Sequence, residues 1–415
     1  MKENTNIKQI LFNKRMLICI LTGFSSGLPL YILISLLPAW LRSDGLDLKA
    51  IGLFALIQLP FTWKFLWAPF FDRFSPPLGR RRGWLIISQL ALLLTIPIFG
   101  FLRPTLDLGV IIALAGTMAF FSASQDIVLD AYRRELLKDA ELGIGNSIHV
   151  NAYKIAGLIP GSLSLILADH LPWNSVFIIT ALFMLPGIAM TLFVSEPSLS
   201  NDLPKTLKAA VIEPFHEFIN RNGVKSAGLI LAFIFLYKLG DSMATALATP
   251  FYLDLGFSKT EIGLIAKNAG LWPSVIGGLL GGIWMIRLGI NRALWLFGAF
   301  QMIAILGFYG LATLGHNLPA LAIAISIEAL CVGLGTTAFV AFIAHTTNPL
   351  YTATQFALFT SLSAIPRTFA NATTGYLVEY LGWQTFFIFC FLIAIPGMFL
   401  LIKIAPWNEP TNRNP

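Results

Sequence analysis

The feature that most constrains this chain is a series of apolar stretches, each about as long as a membrane is thick. They lie at 16–40, 48–71, 84–102, 108–131, 144–168, 173–194, 226–250, 259–284, 293–314, 318–345, 353–378 and 383–404. A helix needs about 20 apolar residues to cross a bilayer. The residues are 56% hydrophobic and 12% charged, whereas a soluble domain carries about 25% charged residues. Because the stretches are continuous and do not alternate with polar residues, we predict an all-α integral membrane protein with twelve transmembrane helices.

The first stretch follows four basic residues, as the apolar part of a signal peptide would. It runs from Met16 to about Trp40, which is longer than the roughly 7–15 residues of such a segment. We therefore expect it to be retained as the first transmembrane helix. The cysteines Cys19, Cys331 and Cys390 all fall inside apolar stretches. They are interpreted as small hydrophobic residues, without a disulfide or a metal site.

An internal repeat divides the chain into two halves. The segment Gly45–Ala55, with the letters GLDLKAIGLFA, matches Gly256–Ala266, with GFSKTEIGLIA. Trp173 likewise matches Trp383. The repeat predicts two pseudo-symmetric six-helix bundles, at residues 1–195 and 226–415, with a substrate site between them at mid-depth in the membrane.

The longest gap between apolar stretches, 196–225, is the predicted linker. Five apolar residues in it share one helical face, and they are Leu207, Val211, Phe215, Phe218 and Ile219. Basic residues flank this face. We expect an amphipathic helix on the cytoplasmic membrane surface; the alternative is a flexible linker.

The basic residues also predict the orientation in the membrane. Most of the 28 Lys and Arg residues lie at the termini or in the loops on the same side of the membrane as the N-terminus. The loops of the opposite side contain only Arg42, Lys49, Arg103 and Lys259. Because basic residues accumulate on the cytoplasmic side, we expect both termini in the cytoplasm.

An acidic residue followed by a basic loop separates the second and third stretches. The charged residues of this segment are Asp72, Arg73, Arg80, Arg81 and Arg82. The arrangement resembles the motif between helices 2 and 3 of Major Facilitator Superfamily proteins. In that family it forms a cytoplasmic charge latch that holds the outward-open state. The resemblance implies a gating role, and the alternative is that the arginines only set the orientation.

Ionisable residues inside the apolar stretches are candidates for function, because a buried charge is costly in a membrane. Asp126 and Asp130 are four residues apart and share a helix face. Two carboxylates this close resist simultaneous ionisation, as a proton-coupling site requires. The alternative is a structural ion pair with Lys64 or with the arginines that follow. We expect Asp126 to contact Lys64 and to take up the proton, with Asp130 mainly structural. The candidates for proton coupling are Asp126, Asp130, Asp241 and Glu328.

Cationic residues near mid-depth could bind an anionic substrate. Lys238 and Asp241 are three residues apart and can pair, whereas Lys154 and Arg367 have no partner nearby in the sequence. The alternative is that these residues form buried pairs that fix the packing.

Evidence for an enzyme is weak. No zinc-ligand spacing or nucleotide-binding loop occurs. The string from Asp126 to Asp130 resembles the aspartate motif of membrane prenyltransferases, but the second such motif is missing. A membrane-embedded prenyltransferase therefore stays a remote alternative.

Four strings resemble the AmpG muropeptide permease family of the Major Facilitator Superfamily. They are Gly23–Leu30, Lys64–Arg73, Gly79–Trp84 and, most specifically, Ser122–Ala131. The resemblance implies proton-driven import of N-acetylglucosaminyl-1,6-anhydro-N-acetylmuramyl peptides across the bacterial inner membrane, for peptidoglycan recycling. In some bacteria this import also serves β-lactamase induction and hence β-lactam resistance. No cofactor other than the proton gradient, no metal and no nucleic acid is expected, and we expect a monomer in the bilayer.

Several in-span residues suit a bulky, polar, anionic muropeptide. Cations would meet its carboxylates, amides its hydroxyl and amide groups, and tryptophans its sugar faces. The candidate substrate-binding residues are Gln58, Trp63, Lys64, Gln125, Asn151, Lys154, Lys238, Asn268, Arg367 and Asn371. The alternative function is transport of acetyl-coenzyme A by a related family. A drug-cation exporter is disfavoured by the excess of basic residues at mid-depth.

Overall fold

The computed structural model describes residues 13–46, 57–196, 207–258, 261–262, 265 and 267–408, without the side chains of 207–210, 267 and 366–372. All regular secondary structure in these residues is helical. The first half contains α1 (Lys14–Ser43), α2 (57–73), α3 (Arg80–Phe99), α4 (Leu108–Leu136), α5 (Asp139–Ala168) and α6 (Trp173–Phe193). Residues 48–56, at the start of the second predicted stretch, lie outside the described residues.

The second half begins after a separate helix, Leu207–Asn222, which we call the linker helix. It contains α7 (Val224–Asp254), α8 (267–288), α9 (290–314), α10 (Leu318–Thr346), α11 (352–381) and α12 (383–404). The part of the eighth predicted stretch before residue 267 is largely outside the described residues. Helices thus occupy all twelve predicted positions, which confirms the all-α membrane fold.

Two glycines separate helices that otherwise run on without a loop. Gly289 lies between α8 and α9 with φ 76° and ψ 165°, and Gly382 lies between α11 and α12 with φ 71° and ψ 163°. A positive φ with extended ψ is open to glycine and strained for other residues. Each reversal of chain direction therefore depends on a single residue, which explains why a 47-residue apolar helix, Asn268–Leu314, contains two predicted spans.

The helices form two compact units that follow the sequence halves with two exceptions. Unit 1 contains residues 1–138, 148–216 and 347–361, and unit 2 contains residues 139–147, 217–346 and 362–415. A short segment of each half therefore packs with the unit formed by the other half. The predicted domain boundaries at 195 and 225 stay a prediction.

The internal repeat is visible in the aromatic cores of the two units. In unit 1, Trp40 lies 5.2 Å from Phe177 and 6.4 Å from Trp173 between ring centroids. In unit 2, Phe251 lies 4.8 Å from Phe387 and 4.9 Å from Trp383. The repeated tryptophans thus occupy equivalent clusters. Such aromatic pairs each add about 0.5–1.5 kcal/mol beyond the burial of their area.

Close packing of α1 on α5 depends on two glycines one helical turn apart. A Cβ atom on Gly27 would overlap the carbonyl oxygen of Tyr153, and one on Gly23 would overlap the carbonyl oxygen of His149. Small residues at this spacing let two membrane helices approach through their backbones. This crossing brings the polar face of α1 against α5 in unit 1.

Candidate functional site

Asp72 lies at the end of α2 and joins α3 and α11 within unit 1. Its carboxylate accepts hydrogen bonds from Thr354 N at 2.9 Å, Thr354 Oγ1 at 2.8 Å and Ala353 N at 3.3 Å. It also forms an ion pair of 2.8 Å with Arg81 Nη2. The carboxylate therefore caps the N-terminus of α11, where unpaired N–H groups and the helix dipole favour an anion.

Arg81 is the centre of this network, which we call the latch cluster. Its guanidinium contacts Asp72 and Glu135, the latter at 2.6 Å, and it is fully buried, as Asp72 is. Arg80 also pairs with Glu135, at 2.9 Å. Asp72 and Arg81 are therefore enclosed by α2, α3, α4 and α11.

The other two predicted gating arginines lie outside the latch cluster. Arg82 donates to the carbonyl oxygens of Thr191 and Leu192 at 3.0 and 2.8 Å. Arg73 is half-buried and lies over the ring of Phe74, 5.4 Å from its centroid. Of the five predicted residues, the structure thus brings together Asp72, Arg80 and Arg81.

Sequence reasoning did not identify two carboxylates near this cluster. Glu135 pairs with both buried arginines, and Glu196 accepts from Arg81 N at 2.6 Å and Arg82 N at 3.1 Å. Glu196 thereby caps the N-terminus of α3 from more than a hundred residues away. The position of Glu135 directly after two arginines at a helix end is a sequence signal for an ion-pair partner. The sequence offers no comparable signal for Glu196.

The two acids of α4 have different partners. Asp126 is buried and accepts a hydrogen bond of 2.5 Å from Ser26 Oγ on α1. Asp130 pairs with Arg133 at 2.8 Å and with Lys64 at 3.7 Å. The expected contact of Lys64 with Asp126 is therefore wrong. Asp130, one helical turn after Asp126, lies opposite the ammonium group of Lys64 instead.

Further buried polar side chains lie near Ser26, where α1 packs against α4 and α5. Gln125 Nε2 donates to the carbonyl oxygen of Ser25 at 2.6 Å. Thr22 Oγ1 lies 3.0 Å from Cys19 O and 3.1 Å from His149 Nδ1. Because the hydroxyl has one proton and donates it to Cys19 O, the ring nitrogen of His149 is the donor to Thr22. A buried polar row thus connects α1, α4 and α5.

Unit 2 contains the expected pair on α7. Lys238 Nζ lies 3.2 Å from Asp241 Oδ2 and donates to Thr336 Oγ1 at 3.2 Å. The pairing of Lys238 with Asp241 is therefore confirmed, and the hydroxyl of Thr336, on α10, gives the ammonium group a second partner. Glu328, also on α10, is half-buried.

The remaining predicted substrate residues differ in exposure. In unit 1, Gln58 is exposed, Trp63 is 50% exposed, Asn151 is buried and Lys154 is half-buried. In unit 2, Asn268 is exposed. The side chains of Arg367 and Asn371 lie outside the described residues. Among the described residues, no group of three or more His, Cys, Asp or Glu side chains is placed to hold a metal ion.

Comparison with known proteins agrees with this all-helical membrane fold. The model of the Major Facilitator Superfamily matches residues 19–237 and 230–415. A human organic anion transporter, MFSD10, has a TM-score of 0.71 at 16% identity, covering 93% of this chain and 98% of its own. The transporter FucP, in its outward conformation, has a TM-score of 0.69 at 12% identity, covering 94% and 99%.

Relatives with higher identity extend over nearly the whole chain. An uncharacterized protein of Haemophilus influenzae is 50% identical over 99% of both chains. The anhydromuropeptide permease of Escherichia coli K12 is 42% identical over 96% of this chain and 82% of its own. A putative transporter, AmpG 4, of Rickettsia felis is 33% identical over 96% and 98%. The chain therefore belongs to the Major Facilitator Superfamily and, within it, to the AmpG family of transporters.

Proposed function

We propose that this chain imports anhydromuropeptides across the bacterial inner membrane into the cytoplasm, in symport with protons. The observation that carries the proposal is the 42% identity to the Escherichia coli anhydromuropeptide permease over 96% of this chain. Both termini face the cytoplasm in this proposal, in line with the distribution of basic residues. The transporter acts as a monomer and needs only the proton gradient.

The proton step is assigned to Asp126. Asp130 already has two cationic partners, Lys64 and Arg133, which compensate its charge. The direct partner of Asp126 is the hydroxyl of Ser26, so its charge is the less compensated of the two. A proton on Asp126 neutralises its carboxylate and weakens the hydrogen bond that it accepts from Ser26 of α1. Asp241 and Glu328 are the next candidates, in unit 2.

The substrate step is assigned first to Lys238. Its ammonium group has a side-chain exposure of 18% and is held by Asp241 and Thr336. A carboxylate of the muropeptide peptide can share this ammonium with Asp241, and a partly desolvated charge pair of this kind favours binding. Trp63, half exposed, offers a face for sugar stacking. The other proposed contacts are Gln58, Lys64, Gln125, Asn151, Lys154, Asn268, Arg367 and Asn371.

The conformational step is assigned to the latch cluster. Asp72 holds α11 through two backbone N–H groups and one hydroxyl. Moving α11 away from α2 leaves these donors and the carboxylate without their partners, at a cost of about 1–3 kcal/mol for each buried group. The cluster therefore opposes any state in which the two helices separate. Arg81 holds Asp72 directly, and Glu135, which also pairs with Arg80, holds Arg81 in place.

Uptake into proteoliposomes tests the function directly. The purified protein is reconstituted, labelled anhydromuropeptide is added outside, and a pH gradient, acid outside, is imposed. We expect accumulation above the outside concentration, abolished by a protonophore and unaffected by excess acetyl-coenzyme A. Equilibration without accumulation would remove the proton coupling, and uptake of labelled acetyl-coenzyme A alone would replace the substrate.

A further inference from the structure

A small cavity lies between α7, α9 and α12 in unit 2. It leaves about 10 Å³ for the centre of a water molecule, which is the space that one buried water needs. Its lining is mostly apolar, and the polar members are Tyr237, Asp241 and Gln301. None of the functions assigned above uses this cavity.

Two of the polar side chains have a buried atom without a hydrogen-bond partner among the described residues. They are Asp241, through Oδ1, and Gln301, through Nε2. Asp241 is 8% exposed and Gln301 is 4% exposed. A buried polar group without a partner destabilises the folded state. Two such groups on one cavity indicate a bound molecule that satisfies both.

The donors and acceptors around the cavity define what that molecule is. Tyr237 Oη uses its proton to bond the carbonyl oxygen of Leu294 at 3.0 Å, so it faces the cavity only as an acceptor. Asp241 Oδ1 is a second acceptor, and Gln301 Nε2 is a donor. Water can donate twice and accept once, and buried waters typically make about three hydrogen bonds. A metal cation would meet the N–H groups of the amide, which repel it.

Glycine at position 298 keeps this space open. A Cβ atom there would lie 2.8 Å from Tyr237 Oη and 2.6 Å from the sulfur of Met398. The backbone of α9 therefore approaches α7 and α12 closely enough to enclose a single small molecule.

We propose that one ordered water molecule occupies this cavity and bridges Asp241 and Tyr237 of α7 to Gln301 of α9. The water gives Asp241 Oδ1 its partner, while Oδ2 remains bound to Lys238. It thus adds a second link between α7 and α9, beside the direct hydrogen bond from Tyr237 Oη to Leu294 O. The position of Lys238 depends on this water through Asp241.

A map that resolves ordered water tests the proposal first. Cryo-electron microscopy of the wild-type protein in lipid nanodiscs, at about 2.2 Å, should show one density within hydrogen-bond distance of all three atoms, about 2.7–3.2 Å. An empty cavity would refute the proposal, as would Gln301 Nε2 bonded to a protein acceptor.

The thermal stability of Gln301→Leu gives an independent test with a definite sign. If Nε2 has no partner, leucine removes an unsatisfied group and the melting temperature rises. If Nε2 binds the water, leucine removes the donor to that water, and the melting temperature falls. We expect a fall relative to both the wild type and Met302→Leu, which changes a lining residue without a role in the hydrogen bonds. A higher melting temperature of Gln301→Leu would overturn the proposal. A wild-type melting temperature that increases in sodium chloride but not in choline chloride would also overturn it, because it would indicate a sodium ion in place of the water.

Discussion

At the scale of single residues, neighbouring charges of the same type have different surroundings. Asp126 and Asp130 are one helical turn apart, yet one is bound to a hydroxyl and the other to two cations. Removing a carboxylate from a buried ion pair leaves its partner's charge uncompensated, which costs about 3–5 kcal/mol. The two acids should therefore respond differently to the same substitution.

The substitution Asp126→Asn should abolish accumulation driven by a pH gradient, because the amide cannot take up a proton. It should keep downhill exchange of labelled for unlabelled muropeptide, since the amide still accepts from Ser26. The matched variant Asp130→Asn leaves Lys64 and Arg133 without their carboxylate, so it should mainly reduce the yield of folded protein. Both are measured in proteoliposomes after size-exclusion chromatography. Accumulation by Asp126→Asn against a gradient would move the coupling to Asp241 or Glu328.

The substitution Lys238→Met should weaken binding of acidic muropeptide more than tenfold, which corresponds to about 1.4 kcal/mol. The ammonium lost is the one we assign to the substrate carboxylate. Because the single variant also leaves Asp241 unpaired, Lys238→Met with Asp241→Asn is the charge-neutral comparison. Lys403→Met, at an exposed position of α12, is the control. Binding is measured by titration calorimetry. Wild-type affinity in both Lys238 variants would place the anion site elsewhere.

How far the site could be predicted depends on the sequence distance of its contacts. Lys238 with Asp241, and Asp130 with Arg133, are three residues apart on a helix, so helical spacing alone predicts that they meet. The contacts of Asp126 with Ser26 and of Asp72 with Thr354 join helices far apart in the chain. Those contacts depend on the rotation of each helix about its axis, which the apolar pattern does not fix because the lipid-facing side and much of the buried side of a membrane helix are both apolar.

At the scale of helices, the positions were predictable and the irregularities were not. The predicted stretches and the helices agree because length and apolar character alone decide whether a segment can cross a bilayer. The π-helical turns Ile32–Leu36 of α1 and Ile159–Leu163 of α5 have no comparable signal. Pro29 precedes the first turn and Pro160 lies within the second, but a proline in a membrane helix predicts a distortion and not its form.

The crossing of α1 and α5 should fail when its glycine gains a methyl group. In Gly27→Ala the new Cβ would overlap Tyr153 O, which is backbone and can relax only by moving a helix. Such overpacking costs about 1–3 kcal/mol. We expect a lower melting temperature and lower yield in scanning fluorimetry. Gly116→Ala on α4, where a Cβ meets nothing within 4 Å, is the control. Equal melting temperatures for the two variants would contradict the close approach.

The latch cluster should be sensitive at Asp72 and tolerant at Arg73. Asp72→Asn removes the anion from Arg81 and from the start of α11, so we expect slower uptake and a lower melting temperature. Arg73→Ala removes a half-buried side chain that lies on Phe74, and we expect near wild-type behaviour. Initial uptake rates in proteoliposomes, normalised to protein content, measure both. Normal uptake by Asp72→Asn would remove this cluster from the transport cycle.

At the scale of the whole molecule, duplication explains why there are two units but not which segments of the chain belong to each unit. The repeated tryptophans Trp173 and Trp383 occupy equivalent aromatic clusters, as the sequence repeat predicts. The packing of 347–361 with unit 1 and of 139–147 with unit 2 could not be predicted, since it depends on contacts such as that of Asp72 with Thr354. Each half of the sequence therefore contributes one short segment to the unit formed mainly by the other half.

The orientation of the whole chain gives the last prediction, because import into the cytoplasm requires it. Single cysteines replace Asp44, in the loop after α1, and Ser75, in the loop before α3; both positions are exposed. The three native cysteines are buried and are replaced by alanine for a silent background. If basic residues keep the α2–α3 loop inside, a membrane-impermeant maleimide should label Asp44→Cys in intact spheroplasts. It should label Ser75→Cys only after permeabilisation. Asn408→Cys, after α12, should behave like Ser75→Cys. The opposite pattern would invert the protein in the membrane and, with it, the proposed direction of transport.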